Sequence, residues 1–213
     1  MARTVLQGRN ALVLGMDTAL GRTCAQQLSR SGCRVVLAGR NVKRLEELAE
    51  QLARKGGEPS IQPISSKPND LYEAIRESRE RLGHFHYVLN ALAFDYETSE
   101  QRSRAEALAL RADQEIAAQV LEHGPTKMLT LWPADRDTPP PVRPLAWHGH
   151  LILGPVQRLD AETPAQLDAS GTLHLRAGSI GDSVAFLFQL PPSARPGRIH
   201  LEAIPSADRK GAV

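Results

Sequence analysis

Cysteine is nearly absent from this chain. Cys24 and Cys33 are the only two, too few for a disulfide framework or a four-thiolate zinc site. Aromatic residues make up 4% and the net charge is +2. That leaves little for stacking bases or drawing a polyanion, so no nucleic-acid partner is expected. No apolar run approaches the roughly 20 residues that span a bilayer, and no membrane partner is expected either. The first ten residues carry neither the apolar core nor the cleavage site of a secretory signal, so the chain reads as cytoplasmic. Hydrophobic residues at 41% and charged residues at 23% exclude wholesale disorder. A length of 213 residues suits one domain, 1–213.

Charge is unevenly spread. Residues 1–55 hold ten Lys/Arg and four acids, so that third is +6 and the remainder −4. A basic first third suits an anionic ligand such as a dinucleotide. The plainer reading is a solvated helix face, because most of these charges flank Leu45 to Leu52.

Apolar periodicity alternates along the chain. Ala11 to Leu14 is a short continuous apolar run ending at Gly15, as in a buried parallel strand. Leu20, Cys24 and Leu28 recur at helical spacing, and Gly32 stops that helix. Val35 to Ala38 predicts a second strand, and Leu45, Leu48, Ala49 and Leu52 a second helix. Ile61 to Ile64 predicts a third strand, and Asn69 an N-cap for a helix through Leu82. Tyr87 to Ala91 predicts a fourth strand, and Leu108, Ala112, Ile116 and Val120 a long helix. Pro133, Pro139 to Pro141 and Pro144 place a Pro-rich loop at 133–146, unsuited to a regular helix or central strand. A fifth strand is expected at His150 to Gly154, apolar helix at Val184 to Leu190, and a sixth strand at Arg198 to Ile204. The fold class is α/β, a doubly wound parallel sheet of Rossmann type.

The first turn carries the chemistry. Leu14-Gly15-Met16-Asp17-Thr18-Ala19-Leu20-Gly21 runs from a strand through a glycine turn into a helix, where free N–H groups and the helix dipole favour phosphate. This spacing resembles the Thr-Gly-x-x-x-Gly-x-Gly motif of the short-chain dehydrogenase/reductase superfamily. Val35 to Asn41 with Arg44 to Leu48 resembles that family's second strand and helix. Leu89-Asn90-Ala91-Leu92-Ala93 resembles its Asn-Asn-Ala-Gly strand, and Arg198 to Pro205 its Arg-Val-Asn-x-Ile-x-Pro-Gly strand. The resemblance implies that Gly15 and Gly21, with Asp17 and Leu20 in the same turn, shape a pyrophosphate site. It places Asn90 beside the cofactor ribose. It sets Arg40 where NADP-preferring members hold the 2′-phosphate, and Gly39 near where NAD-preferring members use an acid. The implied cofactor is therefore NADP(H), if either binds.

Departures from the family pattern weaken that site. Ala19 replaces the middle glycine, where bare backbone admits the pyrophosphate. Asp17 puts negative charge into the loop. Ser65 stands where the family keeps an Asp at the adenine, and Leu92-Ala93 replaces Ala-Gly. The family's proton chemistry uses a Tyr and a Lys four residues later, with a Ser that polarises the carbonyl. Here the tyrosines are Tyr72, Tyr87 and Tyr96, and Arg76, Ala91 and Glu100 follow them by four. Counting back from a sixth strand at Arg198 places His174 near the Tyr position and Gly178 near the Lys position, making His174 the candidate substitute acid. Nine residues follow Ile204, too few for the family's last helix and seventh strand, so the sheet is expected to be shortened at the C-terminus.

Two His-x-His pairs, His84/His86 and His148/His150, have the same-face spacing of a metal-binding strand. Neither has Cys or evident acidic support nearby, so both are read as partly exposed strand edges, with no metal site. The leading expectation is a catalytically degenerate member of the resembled family. It would act as a binding or partner subunit, with an active relative as the possible hetero-oligomer partner. The alternatives are an NADP(H)-dependent oxidoreductase of carbonyl or alcohol substrates with rebuilt chemistry, and a dinucleotide-responsive regulator.

Overall fold

A computed structural model of the chain describes residues 5–65, 68–94, 99–120, 126–134, 147–154, 175, 177–191, 193–194 and 197–201. The elements run β1 (Asn10–Leu14), α1 (Ala19–Arg30), β2 (Arg34–Gly39), α2 (Val42–Arg54), β3 (Glu58–Pro63), α3 (Pro68–Leu82), β4 (Tyr87–Asn90), a short 3-10 turn (Leu92–Phe94) and α4 (Ser99–Val120). They continue with β5 (Lys127–Pro133), β6 (Trp147–Leu153), α5 (Ala177–Gln189) and β7 (Arg198–Leu201). Seven strands form one sheet in the order β3-β2-β1-β4-β5-β6-β7, and every pairing is parallel.

Strand alternation sorts side chains onto two apolar layers. Ala11, Val13, Val35, Leu37, Leu89, Leu129, Leu131 and Leu151 pack with α1, α2 and α5. Leu12, Leu14, Val36, Val88, Met128 and Ile152 pack with α3 and α4. Helix α5 lies on the α1 side: a Cβ at Gly181 would sit 3.4 Å from both Gln27 Cβ and Thr23 O. Its end is held by Lys127, whose Nζ donates to the Phe188 carbonyl at 2.8 Å and to the Leu190 carbonyl. That places a cation at the negative end of the helix, and burial lowers the Lys127 pKa. Phe188 packs on Tyr87 and Trp147 with ring centroids 5.0 and 6.2 Å away.

The structure corrects three expectations. Lys127–Pro133 is a central strand, fully paired with β6 and along four residues with β4. Pro133 is tolerated because it is the strand's last residue, where the ladder ends. The strands expected as fifth and sixth are therefore β6 and β7, and the sheet does possess a seventh strand. Finally, α3 begins at Pro68, so Asn69 falls inside its first turn rather than capping it. Pro suits a first helical position, having no N–H to leave unpaired. Of the Pro-rich loop, residues 135–146 lie outside the described residues.

Replacing Phe188 with Ala is expected to cost about 3–5 kcal/mol. Urea denaturation of the two chains checks this. A loss under about 1 kcal/mol would mean that α5 does not dock on this face.

Candidate functional site

The turn after β1 is set by two close approaches. Gly15 has φ +85°, and a Cβ there would lie 2.7 Å from the Ala91 carbonyl carbon and 2.8 Å from its oxygen. Only glycine brings the β1 turn this near the end of β4. At Gly21 a Cβ would lie 2.3 Å from the Gly15 oxygen, so α1 starts pressed against the same turn. Thr18 caps that helix: its hydroxyl donates to Gly15 O and accepts the Gly21 N–H, both at 2.9 Å. The remaining first-turn N–H groups have no partner inside the helix, which leaves the helix start suited to an anion.

Met16 does not plug this groove. It is buried, and its Cβ lies 3.2 Å from where a Gly39 Cβ would be. Leu20 also packs in the core, so only its backbone can serve a ligand. Ala19 is half-buried at the mouth of the turn.

Asp17 turns sideways to the end of β2. Its Oδ2 accepts the Arg40 N–H at 2.7 Å and its Oδ1 the Asn41 N–H at 3.0 Å. The Arg40 Nε stands 3.7 Å from Oδ2. A Gly39 Cβ would lie 3.3 Å from the same oxygen. A carboxylate from the β1 turn thus stands at the end of β2, beside Gly39. The Asp17 carbonyl accepts from Arg22 at 3.0 Å and from Arg44 at 3.5 Å. One guanidinium thus faces the Asp17 carboxylate and two hold its main-chain carbonyl, so the rim stays electropositive.

Asn90 is fully buried. Its Nδ2 donates to Ala109 O at 2.8 Å and to Asp113 Oδ1 at 2.6 Å, while its Oδ1 accepts the Leu92 N–H at 3.1 Å. The side chain joins β4 to α4 and offers no free amide to a ribose. Ser65 hydrogen-bonds Asp70, so a carboxylate does stand near the position where the family keeps an acid.

No tyrosine has a lysine four residues on. Tyr72 is exposed on α3, where Arg76 is engaged by Glu73 and Glu80. Tyr87 is buried with its hydroxyl 3.4 Å from Val5 O. Tyr96 lies outside the described residues. So does His174, and the count that singled it out began from β7 rather than from the sixth strand. Counted from β6, the segment before the sixth strand is 134–146, whose sequence contains no Tyr and no Lys.

The second His-x-His pair was not legible as part of a cluster. His148 and His150 are not a partly exposed edge: both are buried, on a strand paired on each side. Acidic support comes from Asp113 on α4, with Oδ2 3.7 Å from His148 Nε2 and 3.9 Å from His150 Nε2. Burial, with His148 and Arg198 nearby, lowers the His150 pKa to about 4, so its imidazole is neutral at pH 7. The i, i+2 spacing flagged the pair, but the acid lies 35 or more positions away in sequence.

Among the described residues, no helix is long and apolar enough to cross a membrane. A family model described as Enoyl-(Acyl carrier protein) reductase matches residues 15–126, just over half of the chain. Dehydrogenase/reductase SDR family member 7B of Mus musculus is 34% identical over 95 residues, covering 41% of this chain and 29% of that protein. The putative daunorubicin C-13 ketoreductase DnrU of Streptomyces sp. (strain C5) is 36% identical over 77 residues, covering 36% of this chain and 26% of that protein. The chain thus matches less than a third of the length of these curated relatives. An alcohol dehydrogenase from Thermococcus sibiricus complexed with 5-hydroxy-NADP superposes over 95% of this chain and all of its own, with TM-score 0.76 at 20% identity. A gluconate 5-dehydrogenase from Burkholderia cenocepacia J2315 in complex with NADP and tartrate covers 94% of this chain and 96% of its own, with TM-score 0.73 at 16% identity. At such identities the likeness speaks for the fold, and the match through the glycine turn, β2 and β4 carries the family assignment: the chain belongs to the short-chain dehydrogenase/reductase superfamily.

Proposed function

We propose that this chain binds a dinucleotide at the β1 turn but has given up the superfamily's proton transfer, and that it acts as a binding or partner subunit. The observation that carries this reading is the β5-to-β6 connection. Thirteen residues, 134–146, join two parallel neighbours, about the minimum for such a crossover. They include Pro139, Pro140, Pro141 and Pro144, which bar a regular helix interior. The sequence of this connection holds no Tyr and no Lys, so it cannot supply the Tyr-x-x-x-Lys pair. This gap is internal, so it does not depend on where the chain begins or ends. The partner fitting this role is an active relative of the same fold.

The cofactor preference follows from Asp17. A 2′-phosphate reaching Arg40 meets a carboxylate already bonded to the Arg40 and Asn41 N–H groups. A plain ribose can instead donate its hydroxyls to that carboxylate. Relatives' structures hold NADP-type ligands, and Arg40 and Arg44 keep that option open, but Asp17 tilts the balance toward the unphosphorylated ribose.

Two outcomes are expected. Purified chain shows no reduction of a carbonyl panel and no oxidation of the matching alcohols with NADPH, NADH or their oxidised forms, by absorbance at saturating cofactor. Sustained turnover, unchanged after a second purification that removes any contaminating reductase, overturns the reading. Asp17→Asn keeps one acceptor and removes the charge. It is expected to improve NADP(H) affinity about tenfold relative to NAD(H), or about 1.4 kcal/mol, read by fluorescence titration. If neither dinucleotide binds either chain nor raises its melting temperature, the dinucleotide role falls.

A further inference from the structure

The superfamily's cofactor groove does not account for the most polar region of the core. Asp113, His148 and His150 form a buried group whose ligand atoms all lie within 4.8 Å of one another. No other set of three or more His, Cys, Asp or Glu residues among the described residues is arranged in this way. We propose that these three side chains bind a divalent first-row transition-metal ion, with zinc the fitting member, between α4 and strands β5 and β6.

Donor chemistry supports this. Two imidazoles and one carboxylate are a common ligand set for zinc and its neighbours. Ligands at zinc–nitrogen and zinc–oxygen distances stand about 3.3–3.5 Å apart around a tetrahedral ion. The observed separations of 3.7 and 3.9 Å exceed that by a few tenths of an ångström, within reach of small side-chain rotations. The rings of His148 and His150 meet edge to face with centroids 4.9 Å apart, so both can present nitrogen to one point.

The surroundings are those of an oriented ligand. Asp113 Oδ1 accepts from Asn90 Nδ2 at 2.6 Å and from Thr130 Oγ1 at 2.8 Å. Its other oxygen is thereby turned to the two imidazoles, as outer hydrogen bonds commonly orient a ligating carboxylate. His150 is fully buried, and neither of its ring nitrogens has a hydrogen-bond partner. A buried imidazole without a partner is unusual in a folded core, and a bound cation removes the anomaly. The competing account is a metal-free polar core with an internal water. It explains Asp113, Thr130 and His148, whose Nε2 stands 3.3 Å from Thr130 Oγ1, but does not require His150 to converge on the same carboxylate oxygen.

The test uses the whole chain, stripped with a chelator, then supplied with one equivalent of Zn2+ and desalted. One retained zinc per chain is expected, with a rise in melting temperature. With Co2+ as the probe, visible absorption of a four-coordinate nitrogen/oxygen site is expected. In chain labelled with 15N-histidine, Zn2+ is expected to shift the ring nitrogens of two of the seven histidines. His150→Phe and Asp113→Asn should abolish retention. Thr130→Val, which keeps all three ligands, should weaken affinity about tenfold, and His84→Ala should leave it unchanged. The proposal is overturned if the folded wild-type chain retains no zinc and no histidine shifts. It is equally overturned if folded His150→Phe retains the same equivalent, or if the shifts vanish in His84→Ala. Should the ligand variants fail to fold, the wild-type histidine spectrum decides alone. The outcome is separate from the proposed function, because neither dinucleotide binding nor turnover enters the readout.

Discussion

The contact between Gly15 and Ala91 sets the geometry on which the rest depends. The strands β1 and β4 are neighbours at the point where the sheet's chain order reverses, and α1 and α4 leave toward opposite faces. A crevice opens at such a point in any doubly wound sheet. Here its floor is two backbones in contact, possible only because Gly15 carries no Cβ and accepts φ +85°. Gly21 then seats α1 on the Gly15 carbonyl. Both glycines are thus fully explained by packing, before any ligand is considered. The family's phosphate chemistry is built on a turn that the fold requires anyway.

Asp17 shows how this geometry redirects a side chain that sequence alone reads as a defect. In the loop it puts a negative charge where a phosphate should sit. In the fold, the sharp turn after Gly15 carries it to the end of β2, where it accepts two backbone N–H groups. Hydrogen bonds from N–H to a carboxylate are among the stronger ones, and they tie the β1 turn to the start of α2. The side chain of Asn41 caps α2 from the same junction, accepting the Arg44 N–H at 3.1 Å. The carboxylate therefore serves the fold first. Its bearing on the cofactor is a consequence, since an anion arriving at Arg40 must compete with a charge that cannot leave.

Most of the first half of the fold was legible in the sequence, because each element there has one clear period and a glycine or cap at its end. Lys127–Pro133 was missed because its signals conflict: a lysine opens it, Thr130 interrupts its apolar run, and a proline closes it. Tertiary contacts resolve each one. Lys127 caps α5, Thr130 bonds Asp113, and Pro133 falls where pairing ends. The cost of that one miss was ordinal. Every later strand moved by one, and the position sought for a catalytic Tyr moved from the neighbourhood of His174 to 134–146. The glycine turn was legible as a motif, whereas the destinations of Asp17 and Asn90 were not, since each depends on a partner 19 to 24 residues away.

Asn90, Thr130 and His150 lie in one register row across β4, β5 and β6, a polar row in an otherwise apolar layer. Apolar side chains alone specify this sheet weakly. A slip of two residues along β5 or β6 would keep the apolar side chains of these strands on the same faces. It would carry Thr130 away from Asp113 and separate His148 from the same carboxylate. Burying such groups is costly unless they are matched, so a misaligned pairing strands Asn90, Thr130 and Asp113 Oδ1, which the native register joins by hydrogen bonds. A network of this kind favours one register over its neighbours even where its net contribution to stability is small. That argument holds with or without a metal ion. With one, the same three side chains would also fix the distance between α4 and β6.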